Sequence, residues 1–161
     1  MNTKQIYKAL ISNKYTTTCF NGVYSLDTLI DIENKPELII CNTDPSTKPG
    51  KHWVLFYFNG DNVEFFDSLG KSIENYGIEF IKFVKRFAKT ITMSKVRVQP
   101  PNTVLCGHYC LLYAYHRCKG KKMNTIIQKM MAAKNIKNIL QKLYYICEDS
   151  KCPMLQNCKT Y

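Results

Sequence analysis

Two apolar runs split by one strong turn signal constrain this chain more than any other feature. Trp53-Val54-Leu55-Phe56-Tyr57-Phe58 is apolar, aromatic and of strand length; Asn59-Gly60-Asp61-Asn62 follows, and Val63-Glu64-Phe65-Phe66-Asp67 returns. Asn-Gly is a hairpin signal because the tight hairpin turn needs positive φ, which Gly and Asn tolerate. The register then decides what meets at the open end. With Asn59-Gly60 as the central turn pair, opposed residue numbers add to 119, and His52 faces Asp67 directly. With residues 59 to 62 as a four-residue loop they add to 121, and the two are diagonal on the same face, because a strand has period two. The Cβ atoms are about 5 Å apart in the first case and about 7–8 Å in the second. Either geometry lets a carboxylate orient an imidazole. By itself such a pair is an ordinary feature of a sheet end, so a third group must decide its meaning.

That group stands in Val98-Gln99-Pro100-Pro101-Asn102-Thr103-Val104-Leu105-Cys106-Gly107-His108-Tyr109-Cys110. Two prolines keep Asn102 and earlier residues out of a helix, and the apolar segment beyond reads as a helix through about His116. Capping by Asn102 or Thr103 puts Cys106 in the first turn. Free backbone N–H groups and the positive end of the helix dipole there favour a thiolate. Gly107 is expected to let a substrate backbone approach. Cys106 is therefore a candidate nucleophile if a base is available, with His52 as that base and Asp67 as its orienting group. Trp53 is placed either to shield the His–Asp pair or to fill the core.

Along the rest of the chain, residues 3–11 read as a short helix with Ile6, Leu10 and Ile11 on one side. Residues 13–25 are polar and turn-rich, 27–32 form a short helix ended by Pro36, and 37–41 form a buried strand. Residues 42–50 are a loop. Residues 71–90 read as a helix with Ile73, Tyr76, Phe80, Phe83 or Val84, and Phe87 at helical spacing. Residues 91–98 read as a strand with Val96 and Val98 on one side. Residues 121–146 form a second helical region, its apolar face marked by Ile126, Ile127, Met130, Met131, Ile136, Ile139, Leu140 and Leu143. At 161 residues and 45% hydrophobic content, the chain is expected to be one folded domain, residues 1–161. No apolar run reaches transmembrane length and no signal peptide is read at the start, so no membrane partner is expected. Eight cysteines without a secretory signal suggest reduced thiols in a cytosolic or nuclear compartment.

The ordered set His52-Trp53, Phe66-Asp67-Ser68-Leu69-Gly70, Gln99 and Cys106-Gly107 resembles the cysteine proteases that include the SUMO-specific proteases and the adenovirus maturation protease, adenain. Details resemble the adenovirus type. Gln99 precedes Cys106 by seven residues, Leu105 precedes the cysteine, Cys110 follows in Cys-Gly-x-x-Cys, and Phe20-Asn21-Gly22-Val23-Tyr24 is similar to an N-terminal adenain segment. The resemblance covers residues 20–110 well and the C-terminal third loosely. It implies an α+β fold, a mixed β-sheet packed on a central helix that carries the nucleophile. It implies that Cys106 attacks the scissile carbonyl, His52 moves the proton, Asp67 orients His52, and Gln99 with the Cys106 N–H forms an oxyanion hole. The implied substrates are viral precursor proteins cut near glycines during particle maturation, in a virus or virus-like element, with the enzyme in the virion and host nucleus. Adenain mostly has Glu where this chain has Asp67; the SUMO proteases use Asp there.

A formal charge of +11 exceeds what solubility needs and points to an acidic partner, nucleic acid before membrane. Two lysine-rich sets are candidate contacts for sequence-independent DNA binding: Lys82, Lys85, Arg86 and Lys89, and Lys129, Lys134, Lys137 and Lys142. The resemblance implies DNA as an activator. No cofactor is expected for the chemistry. A cysteine-linked peptide activator is not expected either, because Lys85 to Val98 contains no Cys. The expected state is a monomer. Two alternatives stand beside this reading: a peptidase for ubiquitin or SUMO of the same fold, and a non-catalytic basic module with structural zinc. Cys106-x-His108-x-Cys110 and Cys147, Cys152 and Cys158 are metal-type residues, but neither set has paired Cys-x-x-Cys spacing, so no metal site is expected. Zinc content and thiol reactivity separate the zinc module from the other two.

Overall fold

The computed structural model describes residues 1–144. Five strands, β1 (Phe20–Ser25), β2 (Glu37–Asn42), β3 (Trp53–Asn59), β4 (Asn62–Phe66) and β5 (Thr90–Met93), form one sheet in the order of their numbers. The β1–β2 and β4–β5 pairs are parallel, and the two central pairs are antiparallel. The helices are α1 (Thr3–Ser12), α2 (Ile78–Phe87), α3 (Cys106–Cys118), α4 (Met123–Ala132) and α5 (Ile136–Tyr144). The fold is α+β, a mixed sheet packed on the helix that begins at Cys106.

Period-two alternation along β3 divides the interior into two layers. Trp53, Leu55 and Tyr57 join Phe66 in a core with α1, α3, α4 and α5. Val54, Phe56 and Phe58 join Val63, Phe65, Phe80, Phe83 and Val84 in a second core under α2. Helix α2 is held by Phe80, Phe83 and Val84, each worth about 1.5–3 kcal/mol when fully buried. On the other face Glu64 accepts from Tyr113 Oη (2.7 Å) and Arg117 Nε (2.8 Å), and the Arg117 guanidinium lies 4.2 Å from the Tyr57 ring centroid. This buried set fixes the position of α3 along the sheet, and with it the position of Cys106.

Several sequence expectations are corrected. The hairpin adopts the 121 register, but with Gly60 and Asp61 as the central pair, because Asn59 pairs with Asn62. Gly60 supplies the positive φ of 56°. Residues 13–25 are not all turn: residues 20–25 form β1, an edge strand made by pairing with β2 rather than by its own polar, glycine-containing sequence. Residues 27–32 hold only a 3-10 turn at 26–28. The expected 71–90 helix is a 3-10 turn at Ile73–Tyr76, a break at Gly77 with φ 102°, and then α2. The strand expected at 91–98 is only β5; beyond it, Val98 and Gln99 donate their N–H groups to the Ser68 carbonyl at 3.0 and 2.9 Å, and Val96 is 41% exposed. The region 121–146 is two helices, and its residues 145 and 146 lie outside the described residues. Ile11 and Met131 are exposed, so neither belongs to the apolar face assigned to it. Cys19 and Cys118 are joined in a disulfide, against the expectation of reduced thiols throughout.

Candidate active site

Asp67 follows directly on β4 and is fully buried. Its Oδ1 lies 2.6 Å from His52 Nε2 and also accepts from the Leu69 N–H at 3.0 Å. Its Oδ2 accepts from the Lys71 N–H at 2.9 Å and from Tyr76 Oη at 2.8 Å. The tight turn that delivers these two N–H groups closes on a Gly70 N–H to Asp67 carbonyl bond, with Gly70 at φ 71°. Burial works against the Asp67 charge, but the His52, Leu69 and Tyr76 hydrogen bonds outweigh it and hold the carboxyl below its usual range.

With Nε2 given to Asp67, Nδ1 is the ring nitrogen left for Cys106, and each of the two side chains shifts the ionisation of the other. Burial pushes the imidazole toward neutrality, yet the bonds and charges of Asp67 and Cys106 raise its pKa to about 9. Burial likewise opposes a Cys106 thiolate, while the His52 bond, the Trp53 and Gly107 N–H groups and the imidazolium charge lower its pKa. The three groups thus favour a thiolate–imidazolium pair backed by a carboxylate.

The position of Cys106 at a helix start is as expected, but the cap is not. Leu105 is the N-cap and makes no side-chain cap bond, while Asn102 sits at φ 57° in the preceding turn. Gly107 turns inward: a Cβ there would lie 3.3 Å from Ile6 Cδ1 and from Trp53 Cδ1, so the glycine serves helix packing against Trp53 rather than substrate approach. Trp53 belongs to the α3-side core and donates Nε1–H to the Met1 carbonyl at 3.1 Å. The ring beside the imidazole is Tyr76, stacked at 5.7 Å with 17° between planes.

Gln99 is buried beside the same cleft. Its Oε1 accepts from Ser68 Oγ at 2.8 Å, and its Nε2 donates to the Thr103 carbonyl at 2.6 Å. One amide hydrogen is therefore committed to the loop that leads to Cys106, and the other remains. Adjacent residues after β4 hold both halves of the site: Asp67 fixes the His52 ring and Ser68 fixes the Gln99 amide. Two cavities open on either side of Cys106. One, of about 540 Å³, is lined by His52, Tyr76 and Gln99; the other, of about 390 Å³, by Trp53, Pro45, Pro49 and Gly50.

His52, Asp67, Gln99 and Cys106 are thus brought together from four separate segments. The eight basic residues are not. Lys82, Lys85, Arg86 and Lys89 lie on or just after α2, and Lys129, Lys134, Lys137 and Lys142 on and between α4 and α5, on the opposite side of the sheet. Lys82, Arg86 and Lys89 are also paired with Glu79, Asp31 and Asp61. Cys106, His108 and Cys110 do not gather into a metal-holding cluster, and none of three or more such residues occurs among the described residues. Cys147, Cys152 and Cys158 lie outside the described residues.

Tyr76 and Ser68 were not singled out for the site from the sequence. Tyr76 carried a core signal at helical spacing, and only the break at Gly77 and the fold of residues 67–71 bring it to Asp67. Tyr76→Phe keeps the ring and deletes one bond to a charged acceptor, so kcat/KM is expected to fall roughly tenfold while the fold is retained. Steady-state kinetics alongside a melting curve checks this.

The arrangement has the groups that acyl transfer through a thiol requires. The chain belongs to the adenovirus endoprotease family, whose profile matches residues 20–150. It is 30% identical over 118 residues to a cysteine protease of a tick isolate of African swine fever virus, covering 66% of this chain and 43% of that protein. It is 30% identical over 135 residues to a protease of bovine adenovirus 4, covering 73% of this chain and 66% of that one. A selenomethionine crystal structure of an African swine fever virus protease aligns at 24% identity and TM-score 0.45, covering 68% of this chain and 43% of that one. The chain thus spans less than half the length of the swine fever virus protein.

Proposed function

We propose that this chain is a cysteine endopeptidase that cuts viral precursor structural proteins during particle maturation. The observation that carries the reading is the Asp67–His52–Cys106 line: a buried carboxylate 2.6 Å from an imidazole that in turn lowers the pKa of the Cys106 thiol. Cys106 Sγ adds to the scissile carbonyl. The Cys106 N–H, which has no intrahelical acceptor in the first turn, and the second Gln99 amide hydrogen receive the oxyanion. His52 then gives its proton to the leaving amine, and the acyl group remains on Cys106. Water attacks that thioester with His52 as base, releasing the acid and restoring the thiol. The test is to incubate the protein with candidate capsid precursors and sequence the new termini. New termini inside the precursors support the reading. Cleavage confined to ubiquitin-like fusions would move the chain to the modifier peptidases, and no cleavage of any protein would refute it.

Work inside a particle packed with nucleic acid, in the virion and the host nucleus, fits a monomeric enzyme that binds DNA without reading its sequence and is activated by it. The α4–α5 side is the better contact. After burial, the nearby Lys129, Lys119 and Lys121 are what push the His116 pKa down, whereas Lys82, Arg86 and Lys89 on the α2 side lie against carboxylates. If four to six phosphates are engaged, log affinity falls against log salt with a slope of roughly −4 to −5 on duplex DNA. A salt titration on unrelated duplexes, with peptide cleavage followed in parallel, checks this. Salt-insensitive binding and an unchanged cleavage rate would remove DNA from the account and leave the chemistry standing.

A further inference from the structure

The cavity that holds His52 is basic. Lys51, Lys71 and Arg97 line it, and Asp44 is the one carboxylate among its lining residues. None of the three cations has an ion-pair partner within 4.0 Å among the described residues. Two of them are fastened to the catalytic frame. The Lys71 N–H donates to Asp67 Oδ2 at 2.9 Å, and Arg97 Nε donates to the Gln99 carbonyl at 3.0 Å. They are also held side by side, because Gly70 packs its backbone on that of Arg97: a Cβ on Gly70 would lie 2.7 Å from Arg97 N. Only glycine fits there at φ 71°, so this contact fixes Lys71 next to Arg97.

The chemistry says which part of a substrate occupies this cavity. His52 must protonate the departing amine, so the segment on the leaving side of the scissile bond runs past His52. The other cavity, walled by Trp53, Pro49 and Gly50, takes the acyl side. We propose that Lys71 and Arg97 select cleavage sites with an acidic residue on the leaving side of the scissile bond. The inference rests on the endopeptidase reading and names the substrate class for it. A peptide carboxylate suits this place better than a nucleic-acid backbone, because the cations lie in a cavity beside the nucleophile rather than along an open strip, and the α4–α5 side offers such a strip.

The test uses the whole protein and a fully randomised synthetic peptide library, with product termini read by mass spectrometry. The best-cut sequence is then remade as quenched peptides carrying Glu, Gln or Lys at the leaving-side position of strongest bias. Glu is expected to exceed Gln by about fivefold in kcat/KM, the range of one or two partly exposed ion pairs, and the ratio is expected to shrink as salt rises. Lys71→Gln and Arg97→Gln each lower the Glu-to-Gln ratio toward one, whereas Arg97→Lys keeps most of it. Because the ratio is taken within one variant, any general loss of activity cancels, and Lys71→Gln suffices if the Arg97 variant does not fold. A library cut with no acidic bias, or a ratio unchanged in Lys71→Gln, overturns this inference alone. A Lys71→Gln variant that loses duplex DNA binding but keeps the ratio overturns it in favour of nucleic acid. A library left wholly uncut overturns the endopeptidase reading, and the selectivity with it.

Discussion

Replacing Cys106 by alanine is expected to lower peptide turnover by about a millionfold, as removal of a nucleophile does where the remaining site can only bind and polarise the substrate. The variant should still fold and bind, because the thiol is partly exposed and contributes little to the core. A parallel experiment identifies the thiol without a substrate. An equimolar alkylating agent at mildly acidic pH should modify Cys106 first, since its pKa is lowered. The two other free cysteines among the described residues, Cys41 and Cys110, are fully buried, and burial pushes both thiols up. Peptide mapping of the alkylated protein reads the site of modification. Cleavage by Cys106→Ala at the wild-type rate would end the protease reading, whatever the alkylation map shows.

The site was more legible in the sequence than the elements around it, and the reason is physical. A hairpin register is fixed by local turn chemistry and by parity, so His52 and Asp67 fall on one face under either turn considered. The observed Gly60-Asp61 turn changed their separation, not their meeting. Parity also explains Trp53: one residue past His52, it points into the α3-side core, so the shielding ring had to come from elsewhere. It came from Tyr76, whose neighbourhood depends on Gly77 ending a turn and on Asp67 collecting N–H groups from residues 69 and 71. No local pattern encodes that. Strand β1 was hidden for a related reason, since Phe-Asn-Gly-Val-Tyr-Ser becomes a strand only when β2 offers it a parallel edge. The cap of α3 failed because Asn102 was spent on a left-handed turn. The disulfide at Cys19–Cys118 joins residues 99 positions apart, a pairing that composition does not specify. The charge pattern was legible as charge but not as surface, because the helices carrying the two lysine sets pack on opposite faces of the sheet.

Asp67→Asn is expected to move the alkaline limit of catalysis, and the sign follows from the site. In the wild type the imidazole must be protonated to stabilise the thiolate and to serve the leaving amine. Its pKa, raised to about 9, keeps it so across the neutral range. Cys106 ionises below its usual value, so cleavage should rise on the acid side as the thiolate forms and fall near pH 9 as His52 loses its proton. Both limits belong to the coupled pair. Burial is the largest single influence on His52 and opposes its charge; the Asp67 bond is the next and supports it. With asparagine in place of the carboxylate, the His52 pKa should fall from about 9 toward the unperturbed value of about 6.5, with Cys106 still supporting the charge; a complete fall would leave about thirtyfold less imidazolium at pH 8. The loss relative to wild type should therefore be smaller near pH 6 and grow as pH rises. Alkylation should slow in the same sense, little at acid pH and more as pH rises through neutrality, because a less protonated partner supports less thiolate. Profiles of kcat/KM and alkylation rate against pH, taken on both proteins, read these shifts. A variant whose two limbs coincide with those of the wild type would show that Asp67 holds the ring in place by its hydrogen bond alone, and that its charge does not set the protonation of His52.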